Sequence, residues 1–255
     1  MPVLKRSIIA LLVALAVAGC TAQTGGSSVA PKPEGGADWR RDWLRGVPCA
    51  PPCFMGITPG TQTQTETLEL MRADHPATLP RLNQKTGRSQ GSIDWQIDAA
   101  DPLSAASALF FETPVKEYDL PLNRIVTIRL GTSEVLSLGE VIEAYGDASH
   151  VLALAEPSAE ARTVFWLSVV YMPQGFNLSI AFEYDGRQPV FQGRTMVERV
   201  HFFVPTSDGY DQGLGPLMGI PTPSDLLVPW EGFKEFAFYC REAPAPNNPD
   251  RPGCP

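Results

Sequence analysis

Residues 123–130, NRIVTIRL, carry the pattern on which the expected fold turns. Val126, Ile128 and Leu130 alternate with Thr127 and Arg129, the two-residue period of a strand with one face buried. Seventy-four residues later Val200, Phe202 and Val204 repeat the apolar positions. The same offset carries Leu68 and Met71 onto Ile142 and Tyr145. Each set has a helix signal ahead of it. Thr63 with Glu66 makes a capping box before one amphipathic run, and Ser137-Leu-Gly-Glu140 opens another that Gly146 stops.

Between these markers, strand-like runs fall at 92–97, 106–112 and 123–130 in the first half, and at 163–172, 176–184 and 196–204 in the second. The expected fold class is therefore α+β: two tandem similar units, each a short helix followed by antiparallel strands, over 39–134 and 135–241. Residues 39–44, WRRDWL, form one or two helical turns with Trp39 and Trp43 on one face. Residues 205–229 are dense in Gly and Pro and are expected as a long loop, with Phe233 to Cys240 as a closing strand or short helix. Residues 242–255 form a proline-rich tail.

The start of the chain predicts an address. Lys5 and Arg6 precede an apolar run from Ser7 to Ala18 that is too short to cross ~30 Å of hydrocarbon, and Val17-Ala18-Gly19-Cys20 puts small residues before a cysteine. This is the anatomy of a signal peptide over 1–19. Its last four residues resemble the bacterial lipobox, which implies lipid on Cys20 and attachment outside the cytoplasmic membrane, on the cytoplasmic or the outer membrane. Residues 20–38 read as a flexible tether with an r.m.s. reach of about 25 Å.

The formal net charge is −8, and cleavage before Cys20 removes Lys5 and Arg6, taking it to about −10. Nucleic acid, which needs a basic footprint, is excluded as a partner class. In an exported chain the even set Cys49, Cys53, Cys240 and Cys254 points to disulfides, with Cys49–Cys53 plus Cys240–Cys254 as first choice and cross-pairing of the two ends as second. The spacing in Cys49-Ala-Pro-Pro-Cys53 suits neither zinc nor a redox motif, and no cofactor or metal set is legible.

Catalytic sets are equally sparse. His75, His150 and His201 accompany no Gly-x-Ser-x-Gly elbow and read as structural or surface residues. Asp94 and Asp98 flank Trp95 on a strand, and Asp208 with Asp211 brackets Gly209 without a complete calcium pattern. Gly213 to Gly219 lacks the order of a dinucleotide fingerprint. Phe165, Trp166, Tyr171, Phe176, Phe182 and Tyr184 crowd the later strands, and solvent-facing Trp166 or Tyr171 would suit a protein partner.

Gly56-Ile57-Thr58-Pro59-Gly60 with its following helix, and Leu138 to Gly146 in the second half, resemble the helix-plus-sheet unit of small envelope lipoproteins of the BamE/SmpA type, a unit found in tandem in beta-lactamase-inhibitory proteins. The stretch from Cys49 to Gly60, CAPPCFMGITPG, is similar to a segment of uncharacterised lipoproteins of Chloroflexi-type bacteria. These resemblances imply a membrane-anchored, non-enzymatic module that binds an envelope protein or assists assembly. A small-ligand sensor with a groove between the two units is the alternative, and an unrecognised hydrolase the third reading. Oligomeric state is left open.

Overall fold

Two helices begin where a hydroxyl cap precedes a glutamate three residues on. The structure is a computed structural model, and the residues it describes are 39–75, 78, 80–84, 90–97, 105–112, 122–132, 136–157, 163–183 and 189–240. In α2 (Gln64–Asp74), the Thr63 amide donates to Glu66 Oε2 at 2.8 Å and the Glu66 amide donates back to Thr63 Oγ1 at 3.3 Å. The Thr63 amide also holds the Glu66 carboxyl below its ordinary pKa. In α3 (Leu138–Tyr145), Ser137 and Glu140 repeat the exchange at 2.9 and 3.4 Å. The stop is Gly146, at φ +79°, a left-handed conformation that disfavours a side chain.

The first helix, α1 (Trp39–Leu44), is pinned to α3. Trp43 is 2 % exposed, the Tyr145 hydroxyl donates to the Trp43 carbonyl at 2.5 Å, and Arg40 approaches Glu140 at 3.9 Å. Burial pushes the Tyr145 phenol up to about 12, so it remains a donor at any ordinary pH.

The strands are β1 (Arg81–Gln84), β2 (Gln90–Gln96), β3 (Ala105–Phe111), β4 (Ile125–Gly131), β5 (His150–Pro157), β6 (Thr163–Tyr171), β7 (Phe176–Glu183), β8 (Arg199–Phe203) and β9 (Val228–Pro229). They form one nine-stranded sheet in the order β1-β2-β3-β4-β8-β7-β6-β5-β9, antiparallel at every pairing. The expectation of an α+β protein made of two separate helix-plus-sheet units is therefore corrected. The two strands whose patterns matched at the offset of 74, β4 and β8, hydrogen-bond to each other, with Ile128 opposite Phe202 and Leu130 opposite Val200. Two separate sheets would each have left an apolar strand edge with unpaired backbone groups, and direct pairing satisfies both.

Helices are few and mostly short, and they lie against this sheet. A single hydrophobic cluster runs under it from Ile93 and Trp95 through Ile128, Phe202 and Phe176 to Phe165 and Phe236. Trp43, Phe54, Ile57, Met71 and Val141 reach into that cluster from α1, the Cys49–Cys53 loop, α2 and α3. The described residues from Trp39 to Cys240 belong to one compact unit.

The second correction concerns residues 205–229. Instead of a loop they contain α4 (Ser207–Met218), a 3₁₀ turn at Pro223–Leu226 and β9. Thr206 caps α4 by accepting the Gly209 amide at 3.0 Å, and Pro216 sits inside the helix. The glycines that read as loop allow a close approach. A Cβ on Gly209 would collide with the Val204 carbonyl, and one on Gly213 would come within 3.2 Å of Phe203. The closing segment is a helical turn, α5 (Phe236–Tyr239), of the two forms expected for it. No helix among the described residues is long and apolar enough to cross a membrane.

Candidate functional site: the open face of the sheet

The helices α1, α2, α3 and α5 belong to the large cluster on one face, and α4 with its 3₁₀ turn covers part of the other. Leu217 meets Leu109, Phe111 and Val126, Leu214 and Tyr210 meet Val170 and Phe203, and Ile220 meets Leu152 and Leu154. Beyond α4, the register aligns polar side chains in rows across the strands. One row runs Asp94, Ser107, Arg129, His201, Asn177 over β2, β3, β4, β8 and β7. The next runs Gly131, Arg199, Ser179, Ser168 over β4, β8, β7 and β6. Trp166 follows, opposite Ala181.

Arg129 and Arg199 are therefore diagonal neighbours, roughly 7 Å apart at Cα. Arg199 is exposed and its guanidinium lies 5.8 Å from the centre of the half-buried Trp166 ring, while Arg129 is half-buried. Burial and then the charge of Arg199 pull the Arg129 pKa down, with Asp94 acting in the other direction. Two like charges on diagonal positions of one face repel each other. Neither guanidinium has an ion-pair partner among the described residues.

The floor between them is polar and buried. His201 is 6 % exposed and its pKa is pushed down to about 3, first by burial and then by Arg129 and Arg199, so the imidazole is neutral. Asn177 donates to Ser168 Oγ at 2.5 Å, while its Oδ1 and His201 Nδ1 have no hydrogen-bond partner among the described residues. Each such buried orphan costs about 1–3 kcal/mol. Asp94 is spoken for. Its Oδ1 accepts from Ser107 at 2.6 Å, and its Oδ2 accepts from Ser92 at 3.1 Å and from Asn83 at 3.4 Å.

No protein-family model, curated protein or solved structure matches this chain.

The histidines singled out in the sequence lie apart. His75 ends α2, His150 lies on edge-proximal β5 beside Ser149 Oγ at 3.0 Å, and His201 is three strands away from His150, roughly 14 Å. Among the described residues no three His, Cys, Asp or Glu side chains cluster as metal ligands. Asp208 and Asp211 lie on α4, and Asp211 accepts the Ser224 amide at 2.8 Å and hydroxyl at 2.6 Å, tying the 3₁₀ turn to the helix. Burial raises the Asp211 pKa despite those bonds. Asp98 and Tyr184 lie outside the described residues. Tyr171 belongs to the buried core and Trp166 to the open face.

Cys49 and Cys53 are disulfide-bonded, and Cys240 is also disulfide-bonded. Cys254 and the whole leader and tether, including Cys20, lie outside the described residues. Where a groove between two units was expected, β4 and β8 pair directly from Thr127–Phe203 to Gly131–Arg199. The arginine pair was not singled out from sequence. The available signal was a cation at an outward position of each matched strand, Arg129 in NRIVTIRL and Arg199 in ERVHFFV.

Proposed function

We propose that this chain is a non-enzymatic binding module of the bacterial cell envelope, anchored outside the cytoplasmic membrane by lipid on Cys20, that docks a protein partner on the open face of its sheet. The observation that carries the reading is the half-buried Trp166 with Arg199 laid against it, beside Arg129, on a face that α4 covers only in part. Trp and Arg are the side chains that concentrate binding energy at interfaces, because each combines a large contact area with donors that survive desolvation. The basic, apolar, small-residue order from Lys5 to Cys20 supports the location, as do the paired cysteines.

The test is chemical cross-linking of the full chain in native membranes, with wild type and Trp166→Ala compared side by side. A discrete complex in the wild type that weakens in the variant is the expected result. Recovery of a lone monomer from both counts against the reading. Labelling with radioactive palmitate in wild type and Cys20→Ala tests the anchor separately, and unchanged labelling in the variant refutes it.

A further inference from the structure

We infer that Arg129 and Arg199 make the open face a docking site for an acidic segment of a partner protein, with a partner carboxylate seated between the two guanidinium groups. The inference rests on the docking reading above and names the chemistry of what docks. Its first support is an inversion of charge. The chain carries 28 acidic and 20 basic side chains, yet two arginines stand side by side on this face with no carboxylate of the described residues paired to either. Their alternate strand neighbours on the same face, Thr127 and His201, are uncharged at neutral pH, and Asp94, two strands from Arg129 in the same row, is engaged by Ser107, Ser92 and Asn83.

Pre-organisation is the second support. Contact with the Trp166 ring fixes the Arg199 guanidinium before a ligand arrives, so less side-chain freedom is lost when its N–H groups are engaged. The ring also offers apolar surface next to the charge. Below, the unpartnered His201 Nδ1 and Asn177 Oδ1 mark a polar floor that the fold alone does not satisfy.

The occupant follows from exposure and from charge count. Arg199 is exposed, and Arg129, Trp166, Ser179 and Ala181 are partly exposed, so a small free anion here would keep most of its surface in water. A protein surface covers such a patch and excludes water around the ion pairs, which strengthens them. Two arginines are too few for a nucleic-acid track, which needs an extended basic footprint.

The test uses the purified full chain and fluorescence titration with three probes: acetylated hexaglutamate amide, hexalysine and inorganic phosphate. The expected result is a change in tryptophan emission with hexaglutamate that is absent in Trp166→Phe. Half-saturation should rise at least about tenfold in Arg129→Gln/Arg199→Gln and in ~0.5 M NaCl. Arg199→Gln alone, at an exposed position, should weaken binding with an unaltered thermal melt, which separates loss of the site from loss of the fold. Binding of hexaglutamate that survives the double change overturns the inference. So does a phosphate response matching that of the peptide at equal charge, which assigns the pair to free oxyanions. Absence of any hexaglutamate response up to about 1 mM overturns it too, and leaves the docking reading to stand or fall on the membrane cross-linking alone.

Discussion

His201 is a buried polar side chain of the sheet, and the fold holds it uncharged. Its ordinary pKa is 6.5 and its folded value about 3, because burial and the flanking Arg129 and Arg199 all disfavour imidazolium. The folded chain thus binds fewer protons than the unfolded chain between those values, so stability from this residue is intact above pH 6.5 and falls as the pH drops toward 3. Between pH 7 and 5 the loss is about 2 kcal/mol. We expect the drop in unfolding free energy over that interval, measured with denaturant at both pH values, to be smaller by about that amount in His201→Gln. The alternation that puts His201 and Arg129 on one side of their strands is legible in the chain, since it needs only a period of two. That they stand opposite one another is not, because strand register is set by partners some seventy residues away.

At the scale of elements, the capping boxes at Thr63 and Ser137 were readable because every atom involved lies within four residues. The helix α4 was not. Gly209, Gly213, Gly215 and Pro216 give its sequence the local preference of a loop, and its stability comes from lying on Val204, Phe203 and Val126. The glycines that weaken the helix in isolation are those that let it sit there. Gly209→Ala should therefore destabilise the protein by about 2–3 kcal/mol, in spite of the gain in helix propensity. Gly213→Ala, whose nearest neighbours are at 3.2–3.3 Å, should cost less. Thermal melting gives the ranking, and faster hydrogen exchange confined to α4 would show that the helix has lifted. The candidate site shared this fate: its outline depends on where α4 ends its cover.

For the whole molecule, the seam between β4 and β8 is the decisive feature. Six strands were legible as runs because alternation is local, and most of them pair with a neighbour in sequence, whereas the union of the halves depends on pairing between distant segments. The fragments 39–134 and 135–241 would each expose a long apolar strand, β4 or β8, and half of one shared core. Neither fragment is expected to give a cooperative melt by circular dichroism when made alone, and mixing them should restore one. Two independently folded fragments would show that the seam is dispensable.

The attachment of α1 has a mechanical side. Tension entering the chain from ahead of residue 39 meets the fold at a six-residue helix whose Trp43 ring is wedged against Phe176 and Phe202, with centroids 5.4 and 6.0 Å away. The Tyr145 hydroxyl and Glu140 hold the same helix from the side. Load is thus passed to β7 and β8, in the middle of the sheet, rather than to an edge strand that could be peeled away one bond at a time.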